Sequence, residues 1–431
     1  MDTIVALATA QGRAGVAVVR VSGPRAWDVC AALAGSVPPE REARLARLRD
    51  ASGAEIDSGL VLVFEDGRSF TGERVCEFQV HGSVAVVSAL LRACLALEGV
   101  RAATAGEFTK RAFLAGRLDL TEVEALADLI DAETEAQRKQ ALAVLDGAAG
   151  RVVDGWREDL LQALAMLEAA LDFADEELPD DLTGFVLAPL VRVQAGLAAQ
   201  IAGRSAAEAV RSGFEVAIVG QVNAGKSTLL NALAGRDAAI TSSRAGTTRD
   251  VIEVRMEIGG LAVTLIDTAG LRDADDEIEQ IGIERGRARA AAADLRIFLL
   301  SEPGEEPVGV VAGDIVVLSK ADLWGLDGIS AKTGAGVAVL LATIEECLGG
   351  RAASSSVFTR ERHFGNLARA GDGINAAVSG LESGLSWDLV GEDVKMAVRA
   401  LDGIIGRVDV EDVLGQNLFV VLYRQVGARF T

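Results

Sequence analysis

The chain has 431 residues, half of them hydrophobic and only 4% aromatic, with a formal net charge of −21. That length suggests two to four domains of about 100–200 residues each. The charge argues against tight binding of nucleic acid by this chain alone, although a local basic patch or a basic partner remains compatible with it. Cys30, Cys76, Cys94 and Cys347 form no CxxC pair and no metal-ligand spacing, which points to a reducing, cytoplasmic setting with buried thiols. Arg13 and Arg20 interrupt the apolar N-terminal run, so no signal peptide is expected, and no stretch reaches the roughly 18 apolar residues of a bilayer span.

Residues 1–117 mix strand-like runs, Val16–Val21 and Gly59–Phe64, with an amphipathic helix over Val84–Leu97, and read as an α+β domain. From Leu118 the texture is helical: Leu120, Val123, Leu126, Leu129 and Ile130 share one face, with Asp119 or Thr121 as the candidate N-cap. A second stripe runs from Leu142 and Leu145 through Val152, Trp156, Leu160, Leu164 and Leu167 to Leu171, until ADEELPDD breaks it. A further helix is expected from about Leu187 to Ala209. At Phe214 the pattern turns to strand, loop and helix. FEVAIVG, Ala262–Asp267, Leu295–Leu300 and Ile315–Leu318 are short apolar strands, alternating with helices as in a mainly parallel, doubly wound sheet. After about Gly350, through the serines 354–356, the chain returns to helix and loop. The predicted architecture is therefore an N-terminal domain (1–117) and one helical domain in two parts (118–209 and 352–431), with an α/β domain (210–351) inserted between them.

The inserted domain carries the chemistry. GQVNAGKS at 220–227 is a complete GxxxxGK[ST] directly after a strand: its glycines let backbone N–H groups turn toward phosphates, and the next helix adds a favourable N-terminus. Lys226 is expected to reach the outer phosphates and the Ser227 hydroxyl to bind Mg²⁺. DTAG at 267–270 ends a strand. Asp267 would act on the Mg²⁺ shell through water, and the Gly270 N–H on the γ-phosphate. In SKAD (319–322) the Asp322 carboxylate can accept two hydrogen bonds from the guanine N–H edge, which adenine lacks, so GTP is selected over ATP. Ser319 stands where this motif usually has Asn, and weaker nucleotide affinity with retained guanine preference is expected. Ala331 and Lys332, in ISAK at 329–332, are expected to close over the base. Within AGTTRD (245–250), Thr248 is the candidate switch residue that completes the Mg²⁺ sphere.

The strings GQVNAGKS, AGTTRD and DTAGLRDADDEIEQIGIER, together with VVRVSGP, SFTGE and AGEFTKRAFLAGRLDLTEVEALADLIDAETEAQ, resemble the MnmE (TrmE) family of tRNA modification GTPases, over residues 1 to about 415. The resemblance implies a Ras-like P-loop GTPase domain inserted in the helical domain. It implies GTP contacts from Asn223, Ala224, Gly225, Lys226, Ser227 and Thr228, from Ser242, Ser243, Arg244, Ala245, Gly246, Thr247 and Thr248, from Asp267, Thr268, Ala269 and Gly270, and from Lys320, Asp322, Ser330, Ala331 and Lys332. Asn223, Ser242, Arg244 and Thr247 would hold a K⁺ ion against the phosphates, doing the work of an arginine finger. Glu279 would orient or help activate the attacking water, so that Glu279, Lys226 and Thr248 form the catalytic set. Arg20, Glu77 and Arg117 would bind 5-formyl-tetrahydrofolate, Arg117 standing where the family commonly has Lys. The same domain would form a homodimer. An MnmG-type FAD flavoprotein would be the partner, in an expected heterotetramer acting on the wobble uridine of tRNA in the cytoplasm, with no membrane involved.

The chain departs from that family at its end, NLFVVLYRQVGARFT, which lacks the Cys of the family's FCIGK-type tail, although EDVLG at 411–415 still fits. The stretch between Leu300 and Ile315 leaves little room for a crossover helix. His81 and His363 read as structural or surface groups. Two other readings stay open: a GTP-controlled RNA or ribosome assembly factor, which calls for a basic domain that residues 352–431 do not resemble, and a modification-inactive module that binds GTP and folate and dimerises.

Overall fold

The computed structural model describes residues 2–172, 182–221, 223–235, 253–267 and 288–407. The segments AGTTRD and ADEELPDD, all of DTAG after Asp267, Glu279 and the tail after Arg407 lie outside them. The chain divides into two compact units, one within residues 2–123 and the other Glu124–Arg407.

The first unit is a six-stranded sheet with two helices packed on it. Its elements are β1 (Thr3–Leu7), β2 (Ala14–Ser22), α1 (Ala26–Ala34), β3 (Arg44–Arg49), β4 (Glu55–Phe64), β5 (Val75–Gly82), α2 (Val84–Leu95), β6 (Val100–Ala102) and α3 (Glu107–Leu114). The strand order is β3-β4-β5-β2-β1-β6, antiparallel except where β1 meets β6. Alternation along β2 places Val19 and Val21 in the core with Phe78, Leu33 and Leu90, and turns Arg20 to the other face. Cys30, Cys76 and Cys94 are buried in this core, and burial pushes the Cys94 thiol up to about 12. Cys347 is half-buried.

Helix α4 (Leu120–Asp131) starts at Asp119, which settles the choice of N-cap. Its carboxylate accepts the Glu122 N–H at 2.8 Å, and Glu122 accepts the Asp119 N–H at 2.7 Å, a reciprocal capping box. The second unit continues with α5 (Glu135–Leu145), α6 (Ala148–Asp172), α7 (Leu182–Ala202) and α8 (Arg204–Ser212). After the inserted domain come α12 (Glu361–Ser383) and α13 (Trp387–Ile405). Helices α6, α7, α12 and α13 form a bundle. Its core is built by Leu160, Leu164 and Leu167, by Leu190, Val193 and Leu197, and by Leu367, Ile374, Val394 and Leu401, all at helical spacing.

Two expected helices are each split at a glycine. The stripe from Leu142 to Leu171 belongs to α5 and α6, separated at Gly147 with φ +82°. The run expected over Leu187–Ala209 starts earlier, continues through Pro189, and breaks between α7 and α8 at Gly203. There the returning chain lies so close that a Cβ would sit 2.6 Å from the Ser354 carbonyl oxygen, and the Ser356 N–H donates to the Gly203 carbonyl at 3.2 Å. Helix Thr183–Ala202 corrects a further expectation, because by length and composition it is apolar enough to cross a membrane. It packs as a bundle helix: Val186, Leu190, Val193 and Leu197 are buried, and Arg192 pairs with Asp159 at 2.5 Å.

The insertion contains β7 (Phe214–Gly220), α9 (Lys226–Ala234), β8 (Glu253–Ile258), β9 (Leu261–Asp267), β10 (Leu295–Leu300), β11 (Ile315–Leu318), α10 (Ala321–Trp324) and α11 (Val337–Ala352). The sheet order is β11-β10-β7-β9-β8, parallel except for the β8–β9 hairpin at one edge. As its length implied, the β10–β11 crossover (301–314) contains no helix. It is braced by Arg296, which donates to both Asp314 oxygens at 3.1 and 2.6 Å. The hairpin turn leans on the helical domain: the Ala136 N–H donates to the Gly260 carbonyl at 3.1 Å, and Arg255 pairs with Glu133 at 2.9 Å.

Both histidines are structural or surface groups. His81 is exposed and paired with Asp57 at 2.9 Å. His363 is buried, accepts the Thr359 N–H on Nδ1 at 3.3 Å, and meets Glu124 through Nε2 at 2.7 Å. Burial lowers the imidazole pKa more than the carboxylate raises it, so His363 is neutral and its Nε2–H donates. Burial pushes the Glu124 carboxyl up, but the His363 hydrogen bond and the Arg362 charge outweigh it and hold the group at about 2. An unfolded carboxyl titrates near ~4.3, so this contribution to stability is complete above that pH and is lost as pH falls toward about 2. Glu124→Gln leaves Arg362 buried beside an uncharged partner and should cost about 3 kcal/mol at neutral pH. Denaturant titrations from pH 7 to 3 should also show a weaker acid dependence in the variant than in the wild type.

Candidate functional site

Strand β7 ends at Gly220, where a Cβ would stand 2.6 Å from the Leu299 carbonyl oxygen of the neighbouring strand, so only glycine fits. The loop then uses two left-handed residues, Asn223 (φ +68°) and Gly225 (φ +94°), to reverse direction into α9. Gly225 is the N-cap of that helix, so the loop and the helix N-terminus form one cradle of backbone donors.

Lys226 is 6% exposed and folds back over the loop, donating to the Gly220 and Gln221 carbonyls at 2.7 Å each. Burial lowers its pKa, and Asp267 opposes that shift. The Ser227 hydroxyl donates to Asp267 at 2.7 Å, bringing the loop motif and the end of β9 together. This places a hydroxyl and a carboxylate side by side, the hard oxygen donors suited to Mg²⁺.

Beside the loop lies a cleft of about 260 Å³. It gathers Ala224, Gly225 and Thr228 with Ser319, Lys320, Asp322, Ser330, Ala331 and Lys332. Lys320 holds φ +54°, the Ala321 N–H donates to the Ile329 carbonyl at 3.0 Å, and the Ser330 hydroxyl accepts the Thr333 N–H at 3.2 Å, which fixes the two motif loops against each other. Asp322 and the Ala331–Lys332 segment line this one cleft together. Ser242, Ser243, Arg244, Ala245, Gly246, Thr247, Thr248, Thr268, Ala269, Gly270 and Glu279 lie outside the described residues.

In the N-terminal unit, the β2–β5 register sets Arg20 opposite Glu77, and their side chains pair at 2.7 Å. The Arg20 guanidinium lies 5.7 Å from the Phe70 ring and 5.8 Å from the Phe108 ring. Arg117 is exposed beside the same loop, its Cγ 3.5 Å from where a Cβ on Gly72 would stand. Phe70 and Phe108 were not singled out by sequence, although both sit inside quoted strings, SFTGE and AGEFTK. The available signal was an aromatic ring in each of these strings, which carry the resemblance together with the string that holds Arg20.

The family model described as the MnmE helical domain matches residues 120–419, and the model described as the GTP-binding protein TrmE N-terminus matches residues 3–117. The tRNA modification GTPase MnmE of Ruegeria pomeroyi is 52% identical over 96% of this chain and 98% of its own length. The protein of the same name from a strain of Cereibacter sphaeroides is 53% identical over 96% and 98%. A crystal structure of Era from Aquifex aeolicus is 28% identical and covers 31% of this chain and 56% of that one, with a TM-score of 0.24.

A phosphate chain entering the loop must draw Lys226 off two carbonyls and replace them with charged oxygens. Lys226→Ala removes charge-assisted hydrogen bonds of the strongest kind and should weaken nucleotide binding by about 100-fold. Titration with a fluorescent guanine nucleotide checks this, and unchanged affinity would place the phosphates elsewhere.

Proposed function

The chain belongs to the MnmE family of tRNA modification GTPases, and from that premise we propose that it hydrolyses GTP at the loop of residues 220–227 in the service of modifying the wobble uridine of tRNA. The observation that carries this reading is the convergence of Lys226, Ser227 with Asp267, and Asp322 around one loop and its adjoining cleft. In this reading Lys226 meets the outer phosphates, while Ser227 and Thr248 hold Mg²⁺ with Asp267 behind them. Asp322 takes the guanine N–H edge, and Ala331 and Lys332 cover the base. Glu279 orients the attacking water. Bound Mg²⁺ supplies charge neutralisation for phosphoryl transfer.

The finer parts of the proposal follow the family. The domain division at 117, 209 and 351 assigns folate binding and dimerisation to the first domain and nucleotide turnover to the insertion. Asn223, Ser242, Arg244 and Thr247 hold K⁺. The amide oxygen of Asn223 is a suitable neutral donor for that ion, and the other three lie outside the described residues. Arg20, Glu77 and Arg117 hold 5-formyl-tetrahydrofolate, and the aromatic flank of Phe70 and Phe108 suits a planar ligand. An MnmG-type flavoprotein completes the reaction and reconciles work on tRNA with a charge of −21. Nucleotide turnover drives the conformational cycle, and the group transfer takes place elsewhere.

GTP turnover should be faster in KCl than in NaCl at equal ionic strength, and Asn223→Ala should erase the difference. Equal rates in both salts for the wild type would sink the K⁺ assignment. The tRNA half is tested by nucleoside mass analysis of wobble uridine in a host lacking its own family member and supplied with this chain and its flavoprotein. The modified nucleoside should reappear. GTP turnover without it would leave a modification-inactive module or a GTPase of the assembly-factor kind.

A further inference from the structure

Ser22, Thr71, Glu73, Glu107 and Arg111 belong to the strings VVRVSGP, SFTGE and AGEFTKR, and the folate reading uses none of them. They form one network in the N-terminal unit. The Ser22 hydroxyl, at the end of β2, is fully buried and donates to Glu73 at 2.7 Å, and the buried Thr71 hydroxyl donates to Ser22 at 2.7 Å. Arg111 of α3 donates to both Glu73 oxygens at 3.1 and 3.0 Å, and to Glu107, one turn earlier, at 2.9 Å. The same guanidinium holds Asp2 beside β1, donating to its carbonyl at 2.9 Å and its carboxylate at 2.8 Å. The side chains of Arg111 and Glu73 are only 11% and 17% exposed. The Ser69 hydroxyl donates to the Glu73 carbonyl at 2.5 Å and closes the loop on itself. Gly72, at φ +78°, then brings that loop so near α3 that a Cβ there would lie 3.1 Å from the Ala115 Cβ.

We propose that Arg111 and Glu73 are positioning residues for the bound folate: their buried ion pair sets the gap between Phe70 and Phe108, and with it the width of the slot beside Arg20. This rests on the folate reading above and deepens it. Each of the two elements that the pair ties together carries one ring to the Arg20 guanidinium, the loop 69–73 carrying Phe70 at 5.7 Å and α3 carrying Phe108 at 5.8 Å. Ser22 ties the same pair to the strand of Arg20, two residues on and on the same strand face. The loop, the helix and the strand that border the slot therefore share one anchor. Arginine suits the task because its planar fork meets several acceptors in fixed directions, which the point charge of a lysine does not. A slot held in this way is ordered before the ligand arrives, so binding does not have to immobilise the loop and the helix.

The test is calorimetric titration of the full chain with 5-formyl-tetrahydrofolate and with folic acid, whose oxidised ring is flat where the reduced one is puckered. The wild type should bind the reduced ligand more tightly; equal affinities would show a slot without a set width and overturn the inference. Glu73→Gln and Arg111→Lys should each weaken binding of the reduced ligand about tenfold and bring the two affinities together, and the double variant should be no worse than either single one. Ser22→Ala removes one neutral hydrogen bond and leaves the ion pair, so it should fold readily and move the ratio the same way by less. Val63→Ala, in the core on the other face of the sheet, is the control for a merely structural loss: it should lower the melting temperature and leave the ratio unchanged. A ratio that stays at the wild-type value in Glu73→Gln and Arg111→Lys, or moves as far in Val63→Ala, overturns the inference. Failure of the wild type to bind the reduced ligand, or of Arg20→Ala to weaken it, overturns the folate reading itself and this inference with it.

Discussion

The second unit depends on the seam where the chain leaves the helical bundle and comes back to it. Helix α8 runs from Gly203 toward the first strand of the insertion, and the segment 354–356 returns against that same glycine. The Ser356 N–H on the Gly203 carbonyl closes the backbone, the Ser356 hydroxyl donates to Gln200 at 2.7 Å, and Gln140 reaches both the Ala207 carbonyl and the Ser355 hydroxyl. With the entry and exit strands of the chain held together, the bundle core can be assembled from α6 and α7 before the insertion and α12 and α13 after it, as if the intervening residues were one long loop. The energetic demand of closing such a loop grows only slowly with its length, which is why a whole domain is tolerated there.

Within the insertion, the resting arrangement of the loop satisfies its own polar groups. Lys226 is held by two carbonyls and Ser227 by Asp267, so neither a buried ammonium nor a buried hydroxyl is left without a partner. A ligand competes with these internal bonds and must offer stronger ones, which a polyphosphate with its metal does and a neutral molecule does not. Selectivity for charge is thereby built in before any base is read. The base cleft is the reverse case. Its motif loops are tied to each other, but the buried Ser319 hydroxyl on its wall has no hydrogen-bond partner among the described residues.

Much of this was legible in the sequence because it depends on short-range chemistry. GQVNAGKS had to follow a strand and open a helix, and it does; SKAD and ISAK had to meet, and they line one cleft. The short run from Leu300 to Ile315 left little room for a crossover helix, and residues 301–314 contain none. What escaped depends on distant contacts. Periodicity carried the stripe of Leu142–Leu171 through Gly147, because a glycine in a helical pattern does not reveal a left-handed φ. The break at Gly203 comes from residues 354–356, some 150 positions away in the chain. No unbroken apolar run of about 18 residues was found, whereas helix Thr183–Ala202 passes on its average composition.

The β8–β9 hairpin touches the helical domain at a second place, through Gly260 on Ala136 and Arg255 on Glu133. Ala136 also packs against the insertion's core, to which Ala209 and Val210 of α8 belong, so the insertion meets the helical domain along a continuous apolar strip as well as at these polar contacts. Because β9 runs from that turn to Asp267 at the nucleotide loop, the contact with the helical domain and the nucleotide site are the two ends of one strand.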